Sequence, residues 1–163
     1  MMTGVPKVLA LPPERPIRVV LDTNVVMALW HFCDTKLLVL KQWAESDAVC
    51  LLSDTACLGE LGRVLAYRQF AIPPERQEEH LADYQKRIQL QPQVEADQAD
   101  ALTKLPRCGD RDDQKFIELA VRAQAKLLVS RDKLVLKLAR RRELRDQLLI
   151  VTPERLQQLL EQG

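Results

Sequence analysis

Ile17-Arg18-Val19-Val20-Leu21-Asp22-Thr23-Asn24 decides how the chain is read. The first five residues are largely apolar and β-branched, and they follow Pro16, the pattern of a strand buried on both faces. The run ends in Asp22, Thr23 and Asn24, a polar turn at the carboxyl end of a buried strand.

Outward from this segment, strand and helix patterns alternate. Leu37, Leu38, Leu40, Lys41, Trp43 and Ala44 have helical spacing, with Asp34 or Thr35 able to cap the first turn. Ala48 to Leu52 is a second apolar run, closed by Ser53-Asp54-Thr55, which can cap the next helix. In that helix Leu58, Leu61, Val64, Leu65 and Phe70 share a face, Glu60 and Arg63 fall on a more polar side, and Pro73-Pro74 ends it. Residues from Pro74 to about Leu90 predict a charged helical arm, and Val94 to Leu105 a further helix ending before Pro106. Asp110 to Asp113 supply an acid-rich first turn to a helix whose apolar face is Phe116, Ile117, Leu119, Ala120 and Val121. Lys126 to Ser130 predicts a third strand, followed by a basic helix reaching Arg145. Leu148 to Val151 predicts a fourth, and Thr152-Pro153 opens the last helix, with threonine as cap and proline in the first turn. Short apolar strands alternating with helices predict an α/β fold with a parallel sheet covered on both faces. In such sheets the functional crevice lies beyond the carboxyl ends of the strands, where strand order reverses.

The 163 residues suit one domain, expected over 17–163 after a loose lead-in at 1–16 that holds four prolines and lacks the continuous apolar region of a secretory signal. No stretch approaches the roughly 20 apolar residues of a membrane span. Four cysteines without a Cys-x-x-Cys spacing predict a reduced, cytoplasmic setting. His31 and His80, the two histidines of the chain, read as plain surface residues. The net charge of +1 argues against a general nucleic-acid coat. Locally, however, Arg131, Lys133, Lys137, Arg140, Arg141, Arg142 and Arg145 form a basic stripe opposed only by Asp132 and Glu143.

Asp22 and Asp132 both follow buried strands, and the acids at 110–113 open a helix. Carboxylates drawn to one crevice repel, and each raises the pKa of the others, so a close ionised set calls for a cation among them. Oxygen ligands suit Mg²⁺ or Mn²⁺, which can activate water and neutralise charge on a phosphoryl group. The expected chemistry is therefore that of a phosphodiesterase. No Gly-rich phosphate loop is present, and neither histidine follows a strand as a Ser-His-Asp base would. Each acid also has a benign reading: Asp22 as a turn former, Glu60 as a surface partner of Arg63, the acids at 110–113 as a helix cap.

Four stretches taken together resemble the PIN-domain family, in particular its branch of toxins of toxin–antitoxin systems. They are Arg18-Val-Val-Leu-Asp-Thr-Asn-Val25, Glu60-Leu-Gly-Arg-Val-Leu65, Cys108-Gly-Asp-Arg-Asp-Asp-Gln-Lys-Phe-Ile-Glu-Leu-Ala120 and Leu128-Val-Ser-Arg-Asp132. The resemblance spans Arg18 to Val151. It implies a three-layer α/β/α sandwich with a metal-binding acidic pocket at the carboxyl edge of the sheet, and ribonuclease activity. By position, Asp22, Glu60, Asp113 and Asp132 correspond to the family's four acids, and Asp110 to a further acid common in this branch. Asp112 leaves a one-residue ambiguity about the third acid, which the distance to Phe116 resolves toward Asp113. Asn24 and Ser130 match small polar residues that position the acids. Arg131 departs from the pattern, standing where glycine is common.

The expectation is that Mg²⁺ or Mn²⁺ held by Asp22, Asp113 and Asp132, with Glu60 and Asp110 close by, activates water to cleave single-stranded RNA. Arg131, Lys133, Lys137, Arg140, Arg141 and Arg142 would steer the backbone. The resemblance further implies an antitoxin partner and a homodimer. Two other readings remain. A phosphatase of the haloacid dehalogenase type needs an acid where Asn24 stands. A non-catalytic PIN scaffold that binds RNA or protein would keep the fold and lack efficient chemistry.

Overall fold

The computed structural model describes residues 10–94, 99, 101–102, 104–109 and 111–162. Most of the lead-in, Asp110 and much of the helix expected over 94–105 lie outside the described residues. The chain forms β1 (Ile17–Leu21) and a first helical segment, α1 (Thr23–Val26), which continues as a π-helical turn over Met27–His31. After a 3-10 turn at Thr35–Leu37 come α2 (Leu38–Ala44), β2 (Val49–Ser53), α3 (Thr55–Leu65), a second 3-10 turn (Arg68–Phe70), α4 (Pro74–Arg87) and β3 (Ile88–Leu90). A 3-10 turn at Arg111–Asp113 leads into α5 (Gln114–Arg122), followed by β4 (Leu127–Val129), α6 (Lys133–Leu136) and a fourth 3-10 turn (Lys137–Arg140). The described chain closes with α7 (Arg142–Arg145), β5 (Leu149–Val151) and α8 (Pro153–Gln162).

The strands pair in the order β3-β2-β1-β4-β5, and every pairing is parallel. β1 is central, with Ile17 opposite Val49 on one side and Val19 opposite Leu127 on the other. Because successive strand residues face opposite ways, β1 feeds two cores. Ile17, Val19 and Leu21 join Leu40, Leu61, Leu65 and Leu156 on one face, while Val20 joins Phe116, Ile117, Leu128 and Leu144 on the other. The layers are thus helix, sheet, helix, as the alternating pattern predicts.

Helix caps fix where the chain turns at the sheet edge. Asp54 caps α3 by accepting from the Cys57 amide at 2.9 Å, and its second oxygen pairs with a nearly buried Arg122. Thr152 caps α8 by accepting from the Arg155 amide at 3.0 Å, and Gln157 ties α8 to α2 by accepting from the Leu40 amide.

Three expectations need correction. The arm from Pro74 to Leu90 is helical only to Arg87, and its last three residues form an edge strand, so the sheet has five strands instead of four. Ile88 and Leu90 are apolar enough to pair with β2, but a three-residue strand is too short to show a period of its own. The polar turn after β1 is itself the start of a helix, because Asp22 caps it and its carbonyl accepts from the amides of Val25 and Val26. The basic helix to Arg145 is three short pieces, since its apolar residues Val135, Leu138 and Leu144 do not keep one helical face.

Candidate active site

Strand order reverses about β1, whose direct neighbours are β2 and β4, and the carboxyl ends of β1 and β4 therefore border one crevice. Asp22 leaves β1 there and is only 3% exposed, and Ser130 leaves β4 at 0%. The Ser130 hydroxyl donates to Asp22 Oδ2 at 2.6 Å, and the same Oγ accepts from the Asp132 amide at 3.0 Å. One hydroxyl therefore sets both acids. The Asn24 amide donates to Asp22 Oδ1 at 2.8 Å. Asn24 thus supports Asp22 through its backbone, while its own side chain is exposed.

Burial pushes the Asp22 carboxyl above its ordinary pKa, and the negative charges of Glu60 and Asp132 push the same way, against the hydrogen bonds from Ser130 and Asn24. These charges place Glu60 and Asp132 within electrostatic reach of Asp22. Asp132 is held below the ordinary range, chiefly by a hydrogen bond from the Asp113 side chain and further by the amides of Leu134 and Val135. Its Oδ1 accepts from the Leu134 amide at 2.7 Å, which also makes Asp132 the cap of α6.

Asp113 is 9% exposed, and it stands at the head of α5 without capping it. Its benign reading as a helix cap therefore fails: the carboxyl turns across the crevice to Asp132. Two carboxyl groups in hydrogen-bond contact need positive charge between them, which a shared proton supplies.

Glu60 does not pair with Arg63. Thr23 donates to Glu60 Oε2, and the Lys115 ammonium lies 2.9 Å from Oε1, with both partners largely buried. Lys115 also reaches the Asp112 carbonyl and lies 5.2 Å from the centre of the Phe116 ring. Sequence reasoning missed Thr23 and Lys115. The available signals were positional: Thr23 directly follows the first acid, and Lys115 directly precedes the apolar face of α5.

Asp22, Glu60, Asp113 and Asp132 thus face one crevice, with oxygen-only donors suited to a hard cation. Among the described residues, no three carboxylate, imidazole or thiolate groups enclose an ion as they stand. The reason is local: Asp113 and Asp132 are bonded to each other, and Glu60 is held by Thr23 and Lys115. Asp110, the further acid, lies outside the described residues. Arg131 turns away from the acids to Glu154 at 2.7 Å and Asp34 at 3.5 Å. Lys133, Lys137, Arg140, Arg141 and Arg142 are exposed along the three short pieces after β4. No described helix is long and apolar enough to cross a membrane.

The sequence model of one family, described as a PIN domain, matches residues 18–134. No curated protein matches the chain. Among solved structures, the chain is similar to VapBC2 from Rickettsia felis, crystallised with a DNA fragment from their promoter, at 15% identity and a TM-score of 0.59, covering 83% of this chain and 98% of that one. It is similar also to PAE2754 from Pyrobaculum aerophilum, at 14% identity and a TM-score of 0.57, covering 91% of this chain and 98% of that one. Identities this low carry the fold alone.

Proposed function

The chain belongs to the PIN-domain family, and from that premise we propose that it is a metal-dependent endoribonuclease acting on single-stranded RNA, the toxin of a toxin–antitoxin pair. The observation that carries the proposal is the convergence of carboxylates from β1, α3, α5 and β4, with Ser130 holding Asp22 and Asp132 in fixed relation. Asp22, Asp113 and Asp132 would hold Mg²⁺ or Mn²⁺, with Glu60 beside them and Asp110 as a further acid. A divalent ion there supplies charge neutralisation at the phosphoryl group and makes water acidic enough to attack it.

The chain's own residues do the rest. Ser130 and the Asn24 amide orient Asp22 as an acceptor, Thr23 orients Glu60, and the Asp113–Asp132 pair holds a proton that it can give up to a cation or to the departing oxygen. The stripe Lys133, Lys137, Arg140, Arg141 and Arg142 would track the RNA backbone, with Arg131 engaged structurally. The neighbour crystallised as VapBC2 supports an antitoxin partner. Phe32 and Tyr67, 54% and 46% exposed and both packed on Phe70, offer an apolar surface for that partner or for a second copy of the chain.

One observation favours the second reading, a PIN scaffold that binds RNA or protein with little chemistry: the Lys115 ammonium already balances Glu60. Comparing wild type, Asp22→Asn and Asp113→Asn for Mn²⁺ binding and for cleavage of a mixed RNA pool separates the two. Each substitution is expected to lower cleavage by on the order of 10²-fold or more and to weaken Mn²⁺ binding. Equal cleavage in all three ends the nuclease reading, and Mn²⁺ binding without cleavage in the wild type favours the scaffold.

A further inference from the structure

A second polar cluster lies on the helical arm. His31 closes the π-helical turn after α1, and His80 projects from the middle of α4. Nδ1 of His31 stands 3.4 Å from Nε2 of His80, the rings are perpendicular at 89°, and their centres are 5.2 Å apart. A good N–H···N bond would be shorter. At this separation, a head-on bond would also leave the ring centres farther apart than they are. Both rings therefore aim toward a common point beside the line that joins their nitrogens.

Two imidazole nitrogens bound to one tetrahedral Zn²⁺ at ~2.05 Å lie about 3.3 Å apart, and their ring centres about 5.2 Å apart. The observed spacings match both. His31 is held edge-on by Phe32, with ring centres 4.7 Å apart, and flanked by Phe70, while His80 sits on a 14-residue helix. The pair lines a cavity of about 220 Å³ that also receives Asp83, one helical turn beyond His80. Burial, then Arg76 and His31, hold His80 below the ordinary imidazole pKa, against Asp83 and Glu79, which leaves the ring neutral and its lone pair free for a cation. Glu79 in turn engages the Arg76 guanidinium.

We propose that His31 and His80 form a binding site for a borderline transition-metal cation of the Zn²⁺ class, with water completing the coordination and Asp83 supplying nearby negative charge. No third described His, Cys, Asp or Glu joins them as a ready ligand, so the site is open and weaker than a closed structural one. It is distinct in chemistry from the acid pocket, since imidazole nitrogen selects Zn²⁺, Ni²⁺ or Cu²⁺ and carboxylate oxygen selects Mg²⁺ or Mn²⁺. Occupancy clamps the end of the first helical segment to α4. The proposal stands whether or not the acid pocket cleaves RNA.

The test titrates the intact, metal-stripped protein with Zn²⁺ against a chromophoric chelator and follows thermal melting with and without Zn²⁺. Wild type is expected to bind one equivalent and melt higher. His31→Ala, His80→Ala and His80→Gln should each weaken that equivalent at least about tenfold, whereas Asp22→Asn and Cys33→Ser should keep it. Melting in chelator shows that each variant folds, and the glutamine variant keeps a polar group at the position. Unchanged Zn²⁺ affinity in the histidine variants overturns the proposal. So does loss of the equivalent in Asp22→Asn or Cys33→Ser with retention in His80→Ala.

Discussion

The acidic crevice and the basic stripe from Arg131 to Arg145 are both concentrations of one charge, yet the fold treats them differently. Asp22 and Ser130 sit at strand ends, buried, where backbone pairing leaves their positions no freedom. The stripe begins one residue after Ser130 and breaks into three pieces, its cations exposed, with Arg141 turned toward Glu143 and Arg131 toward Asp34 and Glu154. A charge at the end of a buried strand inherits its place from the sheet, whereas a charge on a short exposed helix keeps several rotamers and several partners. Convergence is therefore strong evidence at the crevice and weak evidence along the stripe.

That contrast breaks most readily at Ser130. Ser130→Ala removes the donor to Asp22 and the acceptor of the Asp132 amide in one step, so it is expected to cost about 1–3 kcal/mol of stability. Melting should fall by roughly 2–4 °C per kcal/mol. A variant that melts like wild type would show that the sheet alone, and not the hydroxyl, holds the two acids.

Lys115→Met sharpens the comparison within the crevice. If Glu60 belongs to the cation site, removing its resident ammonium should tighten Mn²⁺ binding several-fold, about 1 kcal/mol, as read by calorimetry. No change would place Glu60 outside the site. The smallest effect is expected on the stripe: replacing Arg140, Arg141 and Arg142 together by alanine should weaken RNA binding a few-fold at low salt and flatten the slope of log affinity against log salt by about 1. Unchanged binding would make the stripe a solvated surface.

How much could be read before folding depended on whether position was set by local or distant chain. Ile17 to Asp22 and Leu127 to Asp132 announced their strands and terminal acids because continuous burial leaves an apolar run with an abrupt polar end. The caps at Asp54 and Thr152 were legible for the same local reason. β3 was not, because three residues at the end of a charged helix carry too little pattern, and the pairing that makes them a strand is made by β2. The partner of Glu60 was misjudged because helical spacing offers Arg63 on the same helix, while Lys115 lies 55 residues away. His31 and His80 looked like unrelated surface residues for the same reason, being 49 residues apart and joined only when α4 packs on the end of the first helical segment.

By itself, the sequence determined the alternation of buried strands and helices, the edge of the sheet where acids gather, and the kinship those acids carry. All of these follow from hydrophobic period and from residue type at strand ends, which are local quantities. The tertiary structure alone decided that Asp113 faces Asp132 instead of capping its helix, that Lys115 neutralises Glu60, and that two distant imidazoles meet. Each of those pairings joins elements far apart in the chain, and only packing across the sheet and along the arm settles which side chain lies nearest.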